Sequence, residues 1–281
     1  MSQAAPASNE LYLRDDIAAL WRGRDPFAAA QAQQGAIFRN KEGRRTLRFE
    51  HDGRGYFLKL HEGVGWGEIL KNLLQARLPI IGAGPEYRAL RALTALGIDT
   101  LTPAAFGQRG INPAAQLSFL VTDELTAIES LEDFCARWPA QPPAFALKRR
   151  LIERLADISR RLHDAGINHR DYYLCHFLLD SSAPITAANI ATQPLHVIDL
   201  HRAQIRARVP ERWRVKDIGG LYYSALEIGL NRRDVLRFMR AYRQQPLRAL
   251  LDGDAAFWRA VKRRAGQIYR RDFGREPQWP L

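Results

Sequence analysis

Four charged residues of the chain stand where they could carry out phosphoryl transfer. Lys59 interrupts the apolar run Tyr56-Phe57-Leu58-Lys59-Leu60, although only six of the 42 basic residues are lysines. Glu86 opens a helical stretch, Asp171 follows the end of another, and Asp199 ends a short apolar run. Phosphoryl transfer requires neutralised phosphates and an acceptor hydroxyl held in line. A lysine fixed by a carboxylate can meet the phosphates, one aspartate can bind Mg²⁺, and another can orient the hydroxyl.

The most informative motif is His169-Arg170-Asp171, which begins three residues after the Gly166 that ends a long predicted helix. It has the form of the H-R-D catalytic loop of protein-kinase-like phosphotransferases. Asp199 stands 28 residues after Asp171, in an Ile-Asp-Leu-His segment that takes the place of the D-F-G metal-binding segment. Asp217 begins an apolar helix, from which a kinase-like fold holds the catalytic-loop backbone. This order predicts Asp171 as catalytic acid/base, Asp199 as metal ligand, and His169, Arg170 and Asp217 as structural support.

The nucleotide site is predicted from the first half of the chain. Lys59 and Glu86, 27 residues apart, are the expected phosphate lysine and its helical partner. The turn at 40–45 contains only Gly43 in place of G-x-G-x-x-G, so fewer amides cover the phosphates, with Arg44 or Arg45 as help. The connector Asp123-Glu124-Leu125 is expected to receive the adenine through its backbone. These features predict ATP as the donor and Mg²⁺ as its metal.

Two positions near the loop leave more than one interpretation open. His176 stands five residues after Asp171, where protein kinases use asparagine, and imidazole is a poorer Mg²⁺ ligand than an amide oxygen. We therefore expect His176 to contact metal or phosphate, and we expect no conventional second metal site. Arg170 either forms a simple ion pair with Asp171 or neutralises the anionic site.

The hydropathy pattern changes from strand-like to helical along the chain. In the first part it predicts a helix over 11–34 broken at Pro26, an antiparallel meander of strands over 36–39, 45–49 and 56–60, helices over 66–78 and 85–93, and strands over 104–107 and 118–122. In the second part it predicts helices over 147–165, 216–230, 233–243 and 257–271 and strands over 177–179 and 196–198. The predicted fold is α+β and bilobal, like that of protein kinases. A strand-rich N-terminal lobe (1–125) with one key helix binds the nucleotide phosphates, and a helical C-terminal lobe (126–281) carries the catalytic loop, the metal site and a basic surface.

Four longer segments make the resemblance more specific. They are residues 52–59, 63–68, 168–177 (NHRDYYLCHF) and 197–204 (VIDLHRAQ), and they resemble the lipopolysaccharide core heptose kinase family. The similarity extends from about residue 20 to about residue 272. It implies ATP-dependent phosphorylation of the first inner-core heptose, with Lys59, Glu86, Asp171 and Asp199 as the phosphate lysine, its partner, the catalytic acid/base and the metal ligand. It also implies acyl carrier protein as a partner.

Charge and cysteine content indicate the partner and the compartment. The formal net charge is +12, and residues 201–281 carry +11 of it, which suits an anionic partner such as the core glycolipid acceptor. Cys135 and Cys175 cannot form a disulfide framework, and neither a signal segment nor a long apolar run is present, so a cytoplasmic location is expected. Peripheral contact with the inner membrane stays open, because the segment 66–81 either packs on the N-terminal lobe or touches lipid.

Several alternatives accompany this prediction. The acceptor could be a hydroxyl of another sugar or of a protein, and the poor glycine loop also suits a catalytically weak, nucleotide-binding scaffold. The arginines of the basic third are spread through helices that also carry core residues, which disfavours nucleic acid as a partner. His163, His169, Cys175 and His176 match no paired zinc-ligand spacing, and Cys175 beside His176 suits a buried cysteine better than a nucleophile.

Overall fold

The computed structural model describes residues 10–41, 43–63, 82–112 and 114–280. They form two compact units: the described residues up to Arg91 together with Leu101–Leu125, and Ala92–Thr100 together with the described residues from Thr126 onward. In this part of the chain, no helix is long and apolar enough to cross a membrane. The predicted helix over 66–78 lies outside the described residues.

The first unit is built on a six-stranded antiparallel sheet. Its strands are β1 (Glu10–Leu13), β2 (Ala36–Lys41), β3 (Arg44–His51), β4 (Arg54–Glu62), β5 (Pro103–Arg109) and β6 (Leu117–Asp123), in the order β1-β5-β6-β4-β3-β2. The predicted meander is confirmed, because β2 pairs with β3 and β3 with β4 in antiparallel register. The predicted strands over 104–107 and 118–122 are confirmed as β5 and β6.

Helices cover this sheet. They are α1 (Asp15–Leu20), α2 (Pro26–Ala32) and α3 (Gly84–Ala95), whose residues up to Arg91 belong to this unit. In the middle of β4 the alternate residues Tyr56, Leu58 and Leu60 are buried, and they form one core with Trp21 and Phe27 of the α1–α2 segment. Both of these rings meet Phe119 of β6 edge-on, at centroid distances of 5.4 and 5.2 Å. Because successive strand residues point to opposite faces, the residues between them in β4 face away from this core.

The second unit is mainly helical. Its helices are α4 (Leu131–Ala136), α5 (Phe145–Asp164), α6 (Glu211–Ser224), α7 (Arg232–Arg243), α8 (Leu247–Gly253) and α9 (Ala255–Phe273). A three-stranded antiparallel sheet joins β7 (Ile128–Ser130), β9 (Phe177–Asp180) and β10 (Leu195–Val197) in the order β10-β9-β7, and β8 (Ile167–Asn168) pairs with β11 (Gln204–Ile205). The helices predicted over 147–165, 233–243 and 257–271 are confirmed as α5, α7 and α9.

Helix α6 packs closely because two consecutive glycines lie in its middle. A Cβ at Gly219 would come within 2.6 Å of the Arg264 side chain of α9. A Cβ at Gly220 would come within 2.9 Å of the carbonyl oxygen of Tyr172. Glycine lowers helix propensity, so the two residues are explained by the close approach of α6 to α9 and to the segment after His169-Arg170-Asp171.

Two predicted helix boundaries were wrong. Residues 11–13, predicted as the start of a helix, belong to β1, whose residues pair with β5 from Glu10↔Gln108 to Leu13↔Ala105. The helix predicted over 216–230 begins at Glu211, directly after Pro210, and ends at Ser224. In the first case pairing with the sheet edge overrides local periodicity, and in the second a proline with extended backbone starts the helix earlier.

Candidate active site

Lys59 and Glu86 form a close ion pair in the first unit. Lys59 lies in β4 between the buried residues Leu58 and Leu60, so its side chain points away from the core they form. Its Nζ lies 2.6 Å from Oε1 of Glu86, in the first turn of α3. The Glu86 side chain is only 1% exposed, whereas that of Lys59 is 27% exposed. The buried carboxylate thus fixes the position of a partly exposed ammonium.

The connector after β6 has its acidic side chains engaged by arginines. The carboxylate of Asp123 accepts hydrogen bonds from Nη2 and Nη1 of Arg14 at 2.6 and 2.8 Å. The carboxylate of Glu124 accepts from Nε of Arg48 at 2.7 Å. Among the described residues, nothing accepts a hydrogen bond from the backbone N–H of Leu125. In this connector the acidic side chains are thus engaged, while the Leu125 N–H has no acceptor among the described residues.

The turn between β2 and β3 is held by the backbone. Gly43 has φ +70°, and its carbonyl oxygen accepts a hydrogen bond from the N–H of Glu62 at 2.8 Å. Nη2 of Arg45 donates to the carbonyl oxygens of Ala30 and Gln31 at 3.2 and 2.5 Å. These carbonyls lie in the last turn of α2, where a cation is favoured by the helix dipole. Arg45 therefore caps a helix in this structure.

Asp217, in α6, holds the backbone of the H-R-D loop. Its side chain is 1% exposed, Oδ2 accepts a hydrogen bond from the N–H of His169 at 2.7 Å, and Oδ1 accepts from the N–H of Arg170 at 2.8 Å. The two bonds hold consecutive amides, with Arg170 at φ +78°, a conformation that costs free energy for a residue other than glycine. His163 extends the network, with Nε2 at 3.3 Å from Oδ2 of Asp217 and Nδ1 at 2.7 Å from the Tyr242 hydroxyl.

His169 links the loop to the segment that carries Asp199. Its ring is buried, and Nε2 lies 2.8 Å from the carbonyl oxygen of Ile198. Because a carbonyl oxygen only accepts, Nε2 carries the hydrogen. Burial lowers the pKa of His169, against the opposing effect of the Asp217 charge, so the ring is neutral near pH 7. A neutral, fixed ring suits a structural role for His169.

The partner of the Asp171 carboxylate is Arg202. Nη1 of Arg202 lies 3.1 Å from both carboxylate oxygens. Arg202 ends a short 3-10 turn (Leu200–Arg202) that directly follows Asp199. The Arg170 guanidinium instead lies over the ring of Trp213, at 5.1 Å from its centroid. In the described part of the chain the cation that neutralises Asp171 is thus Arg202, three positions after Asp199, and not the adjacent arginine.

Asp199 lies between two histidines. It has φ +62°, its Oδ1 is hydrogen-bonded to Nδ1 of His201, and its Oδ2 lies 3.4 Å from Nε2 of His176. Nδ1 of His176 donates to the carbonyl oxygen of Asp171 at 2.6 Å. Burial opposes a charge on His176, but hydrogen bonds to Cys175 and to the Asp171 carbonyl, with the Asp199 charge, raise its pKa to about 9. The imidazolium therefore connects the two aspartates.

The side chains around Asp199 fit Mg²⁺ better than Zn²⁺. Its side chain is one-third exposed, and a carboxylate is the hard oxygen ligand that Mg²⁺ prefers. Among the described residues, no three His, Cys, Asp or Glu side chains come together in a metal-binding group. A single carboxylate fits Mg²⁺ held mostly by phosphate oxygens and water, whereas protein sites for Zn²⁺ use three or four side chains.

A paired lysine and glutamate on an antiparallel sheet, together with a helical unit whose aspartate holds an H-R-D loop, define a phosphotransferase of the protein-kinase-like class. Residues 28–242 match the lipopolysaccharide kinase (Kdo/WaaP) family, and the chain belongs to this family. Because the family is one of kinases, ATP is the expected phosphoryl donor.

Individual relatives agree with this assignment. The chain is 51% identical over 261 residues to a lipopolysaccharide core heptose(I) kinase of Pseudomonas aeruginosa, covering 93% of this chain and 96% of the relative. It is 50% identical over 239 residues to the protein of the same description from Escherichia coli K12, covering 85% and 89%. A solved structure described as WaaP in complex with acyl carrier protein superposes with a TM-score of 0.81 at 46% identity, covering 92% of this chain and 99% of that one.

The structure groups the predicted site residues within each unit. In the first unit it brings Lys59 and Glu86 together and places Gly43 and the connector at strand ends. In the second unit it brings together His169, Arg170, Asp171, His176, Asp199 and Asp217. Sequence reasoning gave no role to Arg202 and His201, which contact the two aspartates directly. Their position in the Asp-Leu-His-Arg segment directly after the predicted metal ligand was the available signal.

Proposed function

We propose that this chain transfers the γ-phosphoryl group of ATP to a hydroxyl of the first heptose in the lipopolysaccharide inner core. The relatives from P. aeruginosa and E. coli are named for a core heptose, and they match 93% and 85% of the chain. The structural observation that carries the proposal is the pair of hydrogen bonds from the His169 and Arg170 amides to Asp217. They order the loop that presents Asp171.

Asp171 is the proposed catalytic acid/base. In the transfer the acceptor oxygen bonds to the γ-phosphorus, the bond from phosphorus to the bridging oxygen breaks, ADP leaves, and the hydroxyl proton passes to the Asp171 carboxylate. Arg202 contacts both oxygens of that carboxylate and so restricts its rotation. A carboxylate held in one orientation can keep the acceptor hydroxyl in line with the phosphorus.

Lys59 and the connector are the proposed nucleotide contacts. The Lys59 ammonium, positioned by Glu86 at 2.6 Å, would neutralise charge on the phosphates, and Gly43 would lie over them. The backbone of the connector Asp123-Glu124-Leu125 would receive the adenine, since the two acidic side chains are bound to Arg14 and Arg48.

Asp199 is the proposed ligand of Mg²⁺, which when bound neutralises charge on the phosphate oxygens. His176 is placed between this carboxylate and the Asp171 carbonyl, and an imidazole is a poorer Mg²⁺ ligand than an oxygen donor. Of the two expectations for His176, contact with phosphate is therefore the one we propose.

The test is transfer from Mg²⁺-ATP to purified lipopolysaccharide that lacks core phosphate, with the product located by mass spectrometry of the released core. The native chain is expected to phosphorylate an inner heptose, and Asp171→Ala is expected to abolish transfer while ATP binding persists. Asp252→Ala, at an exposed position of α8, is the matched control and should keep full activity. Equal activity of the Asp171 and Asp252 variants would refute the role of Asp171, and transfer to another sugar would refute the acceptor.

We further propose acyl carrier protein as a partner, acting at the cytoplasmic side of the inner membrane where a glycolipid acceptor is held. The structural neighbour is a complex with acyl carrier protein. The second unit contains an apolar cavity of about 390 Å³ lined mainly by α5, α6, α7 and α9, a size that suits one small ligand. Its lining includes Leu151 and Leu221, and it also includes Arg259 and Lys262, which are exposed. An apolar cavity with basic residues beside it suits an acyl chain on an acidic protein.

Binding of acyl carrier protein can be tested by calorimetry with its acylated and unacylated forms. Ala225, 8% exposed, lines the cavity, so Ala225→Phe is expected to occupy part of it and weaken binding of the acylated form at least tenfold. Ala256→Phe places the same side chain on an exposed position of α9 and should bind as the native chain does. Equal affinity of both variants would refute the cavity as the acyl site.

A further inference from the structure

The indole of Trp213, in the first turn of α6, is surrounded by four cations. Measured to the ring centroid, the guanidinium carbons of Arg170, Arg206 and Arg212 lie at 5.1, 5.8 and 5.6 Å. Nζ of Lys216 lies at 5.4 Å. Cations within about 6 Å of an indole are attracted to its face, so the ring keeps these four side chains in one place.

None of these four cations is paired with a carboxylate in the described part of the chain. Arg206 is held by neutral groups, since Nη1 donates to Oδ1 of Asn168 at 2.7 Å and Nη2 donates to Oε1 of Gln204 at 2.6 Å. These amide oxygens fix the guanidinium and leave its charge uncompensated. Elsewhere the arginines of this unit commonly have acidic partners, as Arg202 has in Asp171.

Arg170, Arg206 and Lys216 are partly buried, Arg212 is exposed, and the like charges repel one another. Burial lowers the pKa of Arg170, and the charges of Arg202 and Arg206 act in the same direction. Burial also lowers the pKa of Lys216, again with the help of Arg170 and Arg202. A solvated basic surface would place its charges apart and in water, whereas here the protein holds them together and partly dry. An arrangement of this kind is favourable when an anion is bound.

The cluster is next to the proposed catalytic residue. Arg170 directly precedes Asp171, and the Asp171 charge acts on both Arg170 and Lys216. The two carboxylates in the neighbourhood are already engaged, because Asp171 binds Arg202 and Asp217 binds backbone amides. The Nε1 atom of Trp213 is buried and has no hydrogen-bond partner among the described residues. Among the described residues, neither of these carboxylates is therefore left to neutralise the cluster.

We propose that Arg206, Arg212 and Lys216, arranged on Trp213, form a binding site for a carboxylate or phosphate group of the acceptor, close to the hydroxyl that Asp171 orients. A guanidinium that lies on an aromatic ring presents its N–H edge, which matches a planar carboxylate or a phosphate. This site deepens the proposed function and rests on it: the enzyme selects acceptors with an acidic group near the reacting hydroxyl.

The test compares the double variant Arg212→Gln/Lys216→Gln with the native chain. Its KM for the acidic acceptor is expected to rise at least tenfold while its KM for ATP changes less than twofold. The acceptor KM of the native chain should also rise with NaCl more steeply than that of the double variant. Arg240 is an exposed residue of α7 that has no acidic partner among the described residues. The control variant Arg240→Gln therefore removes a positive charge elsewhere and should leave both KM values unchanged. An equal rise in acceptor KM for the Arg240 variant would overturn the site in favour of a general charge effect.

A neutral acceptor shows whether a rise in acceptor KM is caused by loss of anion binding. When the acidic groups of the glycan are converted to neutral amides or esters, the native chain and the double variant should have the same acceptor KM. If the double variant remains tenfold weaker on the neutral acceptor, the cluster does not bind an anion and the proposal is overturned. Neutralising only the carboxylates, or only the phosphates, of the glycan then identifies which group is bound.

Binding of inorganic phosphate to the cluster can be measured without assuming which acceptor the enzyme uses. With the nucleotide site saturated by a non-hydrolysable ATP analogue, inorganic phosphate should change the fluorescence of the native chain but not that of Trp213→Phe or of the double variant. A response without any transfer to heptose would support the site and refute the acceptor. No response, together with normal heptose phosphorylation and unchanged acceptor KM in the double variant, would refute the site and leave the proposed function standing.

Discussion

Replacement of Asp217 by asparagine should separate loop order from overall stability. The native carboxylate accepts the His169 and Arg170 amides at 2.7 and 2.8 Å in a position that is 1% exposed. Asparagine keeps one oxygen but turns an NH₂ group toward the other amide, so one charge-assisted bond is lost and two donors face each other. At about 1.5–3 kcal/mol for such a bond and a further penalty for the unpaired amide, we expect Asp217→Asn to cost about 2–4 kcal/mol.

Part of this loss of free energy comes from reduced order in the H-R-D loop. Each 1.36 kcal/mol corresponds to a factor of ten in rate, so about 2 kcal/mol of lost loop order lowers kcat about 30-fold. The KM for ATP should change little, because the proposed phosphate lysine lies in the first unit. Amide hydrogen exchange at His169 and Arg170 should become faster than in the native chain, since these two N–H groups lose their acceptors.

Asp234→Asn is the matched control. Asp234 is 4% exposed, and its carboxylate binds Lys148 at 2.7 Å and Arg237 at 2.9 Å at the start of α7, away from the loop amides. Urea unfolding should show losses of similar size for the two variants, whereas kcat of Asp234→Asn should stay within twofold of native. A normal kcat for Asp217→Asn, or an equal fall in kcat for both variants, would refute the argument that Asp217 orders the loop.

Three further outcomes follow from the same contacts. Arg202→Gln should lower kcat about tenfold or more with little change in the KM for ATP, because Asp171 loses the cation that fixes both its oxygens. Steady-state kinetics measures both constants, and an unaltered kcat would contradict this expectation. Gly166→Ala should cost at least about 2 kcal/mol in urea unfolding, since it combines φ +79° with a backbone oxygen 1.8 Å from the new Cβ. Gly274→Ala, at φ +66° and with no neighbour of the new Cβ among the described residues, should cost only about 1 kcal/mol. The pKa of Asp16 is held well below its ordinary value, chiefly by a hydrogen bond from an arginine, so this carboxylate stabilises the fold above pH ~4 and loses that effect as the pH falls further. Asp16→Asn should therefore be less stable than native at neutral pH, with a difference that narrows in acid; a constant difference across pH would show that ionisation is not the cause.

The elements that hold the site were predictable because their patterns are local. Alternating burial in β4 made Lys59 an exception within an apolar strand, and Pro85 and Glu86 gave the start of α3. The H-R-D motif followed Gly166, which ends α5 with φ +79°. Each of these features depends on the conformational preferences of residues that are close in sequence, so it could be predicted from the sequence alone.

Contacts between residues that are far apart in the sequence were not predictable in this way. Arg170 is adjacent to Asp171 in sequence, yet its left-handed backbone and the Trp213 ring place its guanidinium elsewhere. Arg202 reaches Asp171 from 31 residues away. β1 was missed for a similar reason, because an edge strand is determined by the strand it joins, here β5.

The position of Asp217 in the chain has a consequence for synthesis and folding. The acceptor of the His169 amide lies 48 residues later, in a helix that begins at Glu211. A ribosome-bound chain that ends before this helix already contains every residue of the H-R-D loop and the Asp199 segment, but the loop amides have no acceptor. Contacts between residues so far apart form late, after the chain has closed a long segment. The loop can therefore be ordered only after α6 has been synthesised, and a chain truncated before Glu211 carries the H-R-D motif without the carboxylate that holds it.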